Sequence, residues 1–269
     1  MKINIPQLYF SKLMRAIVEF QMIDDGDRIL IGVSGGKDSI FLCYALAIMR
    51  QRLRKEFSLG AVTINPQFDA PEGFDTERIT EFCAKLGIPH EVVAVDIAGT
   101  IAAEPETNPC FTCAFFRRGA VNNYAVQHGY NKVAYAHHHD DAVETFLMSL
   151  FYSGQLTTFT PVTYLDRTKL TVIRPLVYFR EQELRDAVQY HGFPPVKSPC
   201  PYDGHTIRQH IKELIPQLEK DIPHLYDHLA AGMRLGSLGE LWPAAKNRAQ
   251  MRETYYQYMG SQPAGKPKK

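Results

Sequence analysis

The sequence predicts a doubly wound α/β fold, in which helices cover both faces of a parallel five-stranded sheet. Two observations lead to this prediction. Short, almost continuous apolar segments alternate with longer segments whose apolar residues recur at helical spacing. Continuous apolar strands are typical of parallel sheets that are buried on both faces. Additional helices are expected at the N- and C-terminal ends.

The elements follow in a regular order. An N-terminal helix is indicated by apolar residues at positions 8, 13, 17, 18 and 22, and a polar turn over 24–27 ends it. The apolar run over 28–33 is the first strand, and helical periodicity returns over 38–54. The unit then repeats, with strands over 60–64, 91–95, 132–136 and 170–173 and helices over 75–86, 113–128, 140–152 and 180–190. Residues 162–173 are also expected to form a hairpin leading into the fifth strand.

The composition changes after position 191, where glycine and several prolines mark a loop. Helices are expected beyond it over 206–218, 224–234 and 244–259. The predicted organisation is a helix over 1–24, an α/β domain with a Cys-x-x-Cys insertion over 25–192, and a cysteine-containing loop with helices over 193–260. The composition of 261–269 predicts a solvated tail.

Bulk composition limits the possible classes of protein. The chain has 269 residues, of which 45% are hydrophobic and 22% charged, as in ordinary globular proteins. The net charge of +1 neither requires nor excludes a nucleic-acid partner. No segment approaches the roughly 20 apolar residues of a membrane span, and the N-terminal segment does not resemble a signal peptide. We therefore expect a cytoplasmic protein without a membrane partner.

Five cysteines, an odd number, argue against a disulfide framework and favour thiols used as ligands or nucleophiles. Cys43 and Cys83 lie on apolar helix faces and are expected in the core. Cys110 and Cys113 form a Cys-x-x-Cys motif in the loop that opens the 113–128 helix, and Cys200 lies far away among prolines. A redox pair would leave Cys200 unexplained. A zinc site would need a fourth ligand. A [4Fe-4S] cluster would need only three cysteines.

The hexapeptide from Ser34 to Ser39 lies between the first strand and the following helix. Adjacent glycines allow backbone amides to approach a ligand, and a helix N-terminus favours an anion. Its members that would surround a pyrophosphate are Ser34, Gly35, Gly36, Lys37, Asp38 and Ser39. An ordinary strand-to-helix turn is the alternative, but the complete hexapeptide favours a phosphate site.

A second polar loop follows the strand predicted over 132–136 and contains three histidines followed by Asp140 and Asp141. The carboxyl end of a parallel strand is where ligands bind in this fold class. Either carboxylate could hold Mg²⁺ or act as a base, and a histidine could contact phosphate. One alternative is that one aspartate simply caps the next helix, and another is that the residues form a plain zinc cluster.

The phosphate loop resembles that of the PP-loop, or N-type ATP pyrophosphatase, family. In addition, Cys-x-x-Cys, Arg-Arg-Gly, His-His-x-Asp-Asp, Arg-Pro-Leu at 174–176 and a distant Pro-Cys occur in the order typical of the tRNA 2-thiocytidine synthetase family. Related tRNA 2-thiouridine synthetases are similar at Cys-Pro-Tyr. The resemblance extends from about residue 15 to 218. Two departures are Ala136, where the family has glycine, and Asp203, where a further cysteine is usual.

The resemblance implies the ligands of the site. The hexapeptide would hold the ATP phosphates with Mg²⁺, the loop after Ile64 would contact adenine, and His137 would lie beside the phosphates. Cys110, Cys113 and Cys200 would hold an oxygen-sensitive [4Fe-4S] cluster. Asp203 or His205 is a candidate fourth ligand.

The resemblance also implies the reaction. ATP would adenylate the C2 oxygen of a tRNA cytidine in the anticodon loop, and sulfur would then displace AMP. Lys37, Asp38, Asp140 and Asp141 are the expected catalytic residues, with Asp141 the candidate for Mg²⁺. Partners would be tRNA and a sulfur donor, either a cysteine desulfurase or sulfide, and a homodimer is a further possibility.

Contacts to RNA are expected from basic and aromatic side chains. Arg117, Arg118 and Arg174 are candidates for phosphate contacts, although surface arginines can simply be solvated. Arg208, His210 and Lys212 could form a tRNA-facing helix. Phe111, Phe115 and Phe116 are candidates for base stacking, and the alternative is that they belong to the core. Competing functions are a nitrogen-transferring ligase with structural zinc, an ATP-binding iron–sulfur redox sensor, and a thiolase acting on a small molecule.

Overall fold

The computed structural model describes residues 4–69, 73–104, 106–202, 204, 206–234 and 247–259. Within them six strands form one sheet: β1 (Arg28–Gly32), β2 (Ser58–Asn65), β3 (His90–Ala94), β4 (Lys132–Ala134), β5 (Val162–Leu165) and β6 (Leu170–Ile173). Their order across the sheet is β3-β2-β1-β4-β6-β5. Neighbouring strands are parallel except β5, which is antiparallel to β6. The predicted fold class is confirmed. The strand number is corrected from five to six, because the first arm of the hairpin also joins the sheet.

The middle of the sheet is buried and its edge is not. The central strands β1, β2 and β4 are buried over most of their length, as expected for strands covered on both faces. Strand β3 pairs only with β2 and is largely exposed. The chain progresses outwards in one direction from β1 to β2 and β3, and in the other from β1 to β4. The crevice between the carboxyl ends of β1 and β4 is therefore the topological switch point, where such folds bind ligands.

Ten helices are assigned among the described residues: α1 (Gln7–Glu19), α2 (Lys37–Arg52), α3 (Thr76–Lys85), α4 (Ile97–Ala103), α5 (Pro109–Gln127), α6 (His139–Ser153), α7 (Glu181–His191), α8 (Ile207–Glu219), α9 (Leu225–Arg234) and α10 (Arg248–Met259). Helix α2 follows β1 and is buried over almost its whole length. Its buried residues run from Ser39 to Met49, so the helix packs into the core on all sides.

Three local predictions require correction. Helix α4 lies in a segment expected to be a loop, and Asp96 caps it by accepting a hydrogen bond from the Gly99 amide at 2.8 Å. Helix α5 begins at Pro109 rather than Cys113, because Asn108 caps it and proline suits the first helical position. Strand β4 ends at Ala134 instead of Ala136. The Cys-x-x-Cys motif thus lies inside the first turns of a helix.

Helix α1 buries a narrower stripe than its periodicity predicts. Leu13 and Ile17 are fully buried against the core, whereas Leu8 and Val18 are 60% and 64% exposed. Cys43 and Cys83 are both buried, as expected for core thiols. One hydrophobic cluster joins α1, α2, α3 and α7 on one face of the sheet, and a second joins α4 and α5 on the other. Both faces are covered.

Contacts divide the chain into two units, Met1–Met233, which contains the sheet, and Arg234–Lys269, which contains α10. Over the described ranges, no helix combines the length and the apolar character needed to cross a membrane. The predicted tail over 261–269 lies outside the described residues. The division of the chain into four segments remains a prediction.

Candidate active site

The phosphate loop connects β1 to α2 and has a conformation that only glycine accepts easily. Gly35 has φ +82°, and a Cβ there would lie 2.9 Å from Ile79 Cδ1 and 3.2 Å from Val196 Cβ. Gly36 precedes the first turn of α2, and among the described residues no side chain caps this helix end. The first amides of α2 can therefore donate to an anion, as the sequence predicts.

The two serines of the loop hold its shape. Ser39 Oγ donates to the Gly36 carbonyl at 2.9 Å, and the hydroxyls of Ser34 and Ser39 are 3.2 Å apart. These bonds orient both hydroxyls within the turn that would surround a phosphate. All six predicted loop residues are thus brought together.

Lys37 is held by two carboxylates. Its Nζ lies 3.0 Å from Asp38 Oδ2 and 2.9 Å from Glu181 Oε1. Burial acts to lower the pKa of Lys37, but the charges of Asp38 and Glu181 outweigh burial and raise the pKa above its ordinary value. The ammonium group therefore stays charged at neutral pH. The second oxygen of Asp38, Oδ1, is buried and has no hydrogen-bond partner in the described part of the chain.

Both aspartates of the second loop make structural hydrogen bonds. Asp141 accepts the His138 backbone N–H at 2.9 Å, at the start of its own helix α6. Asp140 accepts the Glu181 backbone N–H at 2.8 Å and thereby caps α7. The capping alternative is therefore observed for Asp141 at α6, whereas Asp140 caps a different helix, α7. Their catalytic and magnesium-binding roles remain predictions.

His137 is buried between aromatic rings. Its ring centroid lies 5.9 Å from that of Tyr135 and 5.1 Å from that of Phe159. Burial lowers the pKa of His137 to about 4, so the imidazole is neutral at physiological pH. Its Nδ1 is buried with no partner among the residues that the structure describes. A neutral imidazole can offer a hydrogen bond to a ligand, but it cannot offer a charge.

Arg118, Arg174 and Tyr135 lie close to one another beside this loop. Arg174 Nη1 donates to the Thr160 carbonyl at 2.6 Å, and its guanidinium lies 5.0 Å from the Phe159 ring centroid. Burial lowers the pKa of Arg174 to about 10, and the nearby Arg118 lowers it too. Burial raises the pKa of Tyr135 to about 12, although both arginines oppose this. Neither arginine belongs to any ion pair formed among the described residues. The phosphate-binding role of Arg118 and Arg174 remains a prediction.

The two cysteines of the motif lie three residues apart in α5, so they face the same side of the helix. Cys110 is exposed, and Cys113 and Cys200 are half-buried. Burial raises the pKa of both Cys110 and Cys113, and repulsion from Cys200 raises each further. The charge of Cys200 thus acts on both thiols of the motif. Arg117 opposes these effects at Cys113 and lies beside the thiols rather than with Arg118 and Arg174.

The segment before Cys200 is attached to the phosphate loop. The Val196 backbone N–H donates to the Gly35 carbonyl at 2.8 Å. This bond places the third cysteine's segment next to the site expected for ATP. The connection joins two motifs that the sequence separates widely.

A cluster and a single metal ion make different demands on these thiols. Within the described ranges, no three His, Cys, Asp or Glu side chains converge on a point that could hold one ion. A zinc site needs such convergence, whereas the thiolates of an iron–sulfur cluster bind different iron atoms. Three cysteines match the number of thiolates that such a cluster needs, and their role as its ligands remains a prediction. The candidate fourth ligands Asp203 and His205 lie outside the described residues.

Helix α8 directs two basic side chains towards the site, although the sequence predicted that they face tRNA. Ile211 and Ile215 pack it against Val143 and Leu147 of α6. Lys212 Nζ lies 2.6 Å from Glu181 Oε2, and Arg208 Nη1 lies 3.1 Å from Glu144 Oε2. Both were expected to face tRNA, but they turn towards α6 and α7. Because Arg208 and Lys212 are four residues apart on an amphipathic helix, the sequence indicates that they lie on the same face. Nothing in the sequence indicates that Glu181 belongs to the site.

The aromatic residues of α5 lie at the surface. Phe111, Phe115 and Phe116 are 68%, 59% and 37% exposed. Large exposed aromatic side chains beside the cysteines are available for contact with a partner, and the core alternative does not apply to Phe111 and Phe115.

Comparison with known proteins identifies the family. The sequence model described as the PP-loop domain matches residues 9–218. A tRNA-cytidine(32) 2-sulfurtransferase from Syntrophotalea carbinolica is 36% identical over 233 residues, covering 85% of this chain and 87% of the relative. The chain belongs to the PP-loop family, among the tRNA-cytidine(32) 2-sulfurtransferases.

Further matches agree with the PP-loop assignment. A tRNA-cytidine(32) 2-sulfurtransferase from Geobacter metallireducens is 38% identical over 213 residues, covering 78% of this chain and 82% of the relative. Among solved structures, the U34-tRNA thiolase NcsA from Methanococcus maripaludis with its [4Fe-4S] cluster is similar, with a TM-score of 0.70 and 22% identity. The similarity covers 97% of this chain and 90% of that one, and shows the PP-loop fold. The family predicted from the motifs is confirmed.

Proposed function

We propose that this chain is an ATP-dependent tRNA sulfurtransferase that replaces the C2 oxygen of a tRNA cytidine with sulfur. The observation that carries the proposal is the hydrogen bond from Val196 to Gly35, which holds the Cys200 segment against the phosphate loop. The names of the relatives support tRNA and cytidine 32 as the substrate. An ATP site joined to three thiols suits a reaction that activates an oxygen and replaces it with sulfur.

The first step is adenylation. The C2 oxygen of cytidine attacks the α-phosphorus of ATP, and the bond to the β-phosphate oxygen breaks to release pyrophosphate. The first-turn amides of α2 and the Lys37 ammonium stabilise the charge that develops on the phosphate oxygens. Asp38 Oδ1, buried and without a partner, is the oxygen best suited to Mg²⁺. Magnesium usually binds one or two carboxylates together with substrate phosphates.

The second step replaces AMP. A sulfide-level nucleophile forms the bond to C2, and the C2–O bond breaks, so that the original oxygen leaves in AMP. A [4Fe-4S] cluster held by Cys110, Cys113 and Cys200 would supply an iron without a protein ligand at which sulfur can be held. Asp140 and Asp141 position α7 and α6 around the site, and His137 offers a neutral hydrogen-bonding group.

RNA binding is assigned to the basic and aromatic surface beside the site. Arg118 and Arg174 would contact backbone phosphates, and Arg117 would lie between the thiols and the substrate. Phe111 and Phe115 are exposed for stacking on bases. The loop after Ile64 would contact adenine. The sulfur donor would be sulfide or a cysteine desulfurase, the compartment would be the cytoplasm, and a homodimer remains a prediction.

The test is thiolation by protein purified without oxygen. Wild type, Cys200→Ala and the core control Cys83→Ala would be analysed for iron and sulfide, then incubated with tRNA, ATP, Mg²⁺ and sulfide. We expect 2-thiocytidine in digested tRNA for wild type and Cys83→Ala, and its loss for Cys200→Ala together with the iron. ATP consumption without any thiolated nucleoside, or iron retained in Cys200→Ala, would contradict the proposal.

A further inference from the structure

Glu181, the first residue of α7, binds three cations. Its carboxylate lies 2.9 Å from Lys37 Nζ, 2.6 Å from Lys212 Nζ and 2.8 Å from an Arg185 nitrogen. The Glu181 side chain is only 13% exposed. Burial acts to raise the pKa of Glu181, but the hydrogen bonds from Lys212 and Lys37 prevail and lower it to about 2. Because Asp38 also pairs with Lys37, two carboxylates face these three cations.

The position of Lys212 is fixed by the packing of its helix. Ile211 and Ile215 of α8 are buried against α6, and Arg208 donates to the Asp141 carbonyl at 3.2 Å and to Thr145 Oγ1 at 3.0 Å. These contacts hold the helix on both sides of Lys212. Its ammonium group consequently shares a carboxylate with the lysine of the phosphate loop, although the two residues are far apart in sequence.

We propose that Lys212 is a second lysine for the ATP phosphates, and that Glu181 is a positioning residue that holds Lys37 and Lys212 until the triphosphate replaces it. The inference rests on the ATP site of the proposed function. A triphosphate carries several negative charges, against one each on Glu181 and on Asp38, which also pairs with Lys37. It can therefore take both lysines from the same carboxylate, at the end of the sheet where the α2 N-terminus already favours an anion.

The two residues are predicted to act in opposite directions. Removing the Lys212 charge removes an ammonium–phosphate hydrogen bond, and such bonds are among the stronger ones in proteins. Removing the Glu181 charge removes an anion that competes with ATP for the same lysines and repels its phosphates. A purely structural role would make both substitutions harmful.

The experiment measures the dissociation constant of Mg-ATP by titration calorimetry on the full chain without tRNA. The variants are Lys212→Gln, Glu181→Gln and the control Lys220→Gln, which removes an exposed lysine just beyond the end of α8. We expect Lys212→Gln to weaken binding about tenfold, Glu181→Gln to tighten it by roughly threefold or more, and Lys220→Gln to match wild type. Lys212→Arg should restore most of the affinity.

The possible outcomes separate this inference from the proposed function. Wild-type affinity in Lys212→Gln, or equal weakening in Lys212→Gln and Glu181→Gln with lowered thermal stability, would overturn the inference while leaving thiolation intact. The expected pattern without thiolated tRNA would support the inference and contradict the proposed substrate. Absence of ATP binding by wild type would overturn both.

Discussion

Asp38 stands apart from the other acidic residues of the site because one of its oxygens is buried without a partner. Asp38 Oδ2 binds Lys37 at 3.0 Å, whereas Oδ1 has no hydrogen bond within the described residues. Asp140 and Asp141 instead use their oxygens on backbone amides and on arginines. An unsatisfied buried carboxylate oxygen is costly unless a cation binds it. Asp38 is therefore a stronger candidate for Mg²⁺ than Asp141.

Replacing this carboxylate should change the magnesium requirement. We expect Asp38→Asn to raise the Mg²⁺ concentration needed for half-maximal pyrophosphate release by about tenfold or more, because it removes a charged oxygen ligand. The control is Asp186→Asn, on the exposed face of α7, where the carboxylate accepts a hydrogen bond from Gln182. Measuring pyrophosphate release against Mg²⁺ concentration tests the prediction. An unchanged midpoint in Asp38→Asn would assign the metal to another group.

His137 predicts a dependence of stability on pH. Burial lowers its folded pKa from 6.5 to about 4. As pH falls from 6.5 towards 4, the unfolded chain takes up a proton that the folded chain does not, so stability present above pH 6.5 is progressively lost. We expect the free energy of unfolding to fall more between pH 7 and pH 5 for wild type than for His137→Gln. Urea titrations at both pH values measure it. Equal losses would show that His137 is solvated.

At the scale of elements, the phosphate loop and the Cys200 segment share one tight contact. We expect Gly35→Ala to destabilise the protein by about 1–2 kcal/mol through its positive φ and to weaken ATP binding, because the methyl group meets Ile79 and Val196. Gly26→Ala is a matched control, since Gly26 also has φ +82° but nothing lies within 4 Å of its added Cβ.

Chemical denaturation and ATP titration of both variants separate strain from contact. Destabilisation of both variants through their positive φ, with a further loss of stability and weakened ATP binding in Gly35→Ala alone, is the expected result. Equal ATP affinity would show that the Val196 contact does not support the loop.

Single strands and helices of this fold can be predicted from the sequence more accurately than the contacts between them. Strand β6 and helix α2 were predicted within two residues at each end, because their apolar runs are long and bounded by turns. Helix α4 was missed since seven residues are too few to show periodicity. Asn108 and Pro109 together indicate a helix that starts at Pro109. The prediction instead assigned this segment to a loop, because it contains the Cys-x-x-Cys motif.

The site shows the same division between local and distant contacts. The phosphate loop, the cysteines and the aspartates belong to short motifs that can be recognised in the sequence. The phosphate loop and the aspartates directly follow predicted strands, so their positions follow from the strand order. The pairing of Lys212 with Glu181, the burial of His137 and the proximity of Arg118 to Arg174 depend on contacts between distant elements. Those contacts are set by how α8 packs on α6 and how β6 joins β4, which no local pattern records.

At the scale of the whole molecule, Arg118 and Arg174 predict how tRNA affinity depends on salt. If each arginine contacts one phosphate, Arg174→Gln should reduce by about 1 the slope of the logarithm of the tRNA association constant against the logarithm of the salt concentration. It should also weaken binding equally for RNAs of different sequence. Arg167→Gln is the control, because Arg167 is exposed in the turn at the opposite end of the β5–β6 hairpin.

Filter binding of tRNA between low and moderate salt, without ATP, provides the measurement. The control should keep the wild-type slope. A wild-type slope for Arg174→Gln would show that its guanidinium serves the hairpin rather than RNA, since it also binds Thr160 and Thr163.

The bond between Val196 and Gly35 also sets an order of events during synthesis. The ribosome makes the phosphate loop first and reaches Val196 and Cys200 on the order of ten seconds later, at ordinary elongation rates. Strand β4, the second neighbour of β1, is likewise made long after β1. A nascent chain that stops before Val196 therefore lacks both the third thiol and the backbone bond that braces the phosphate loop.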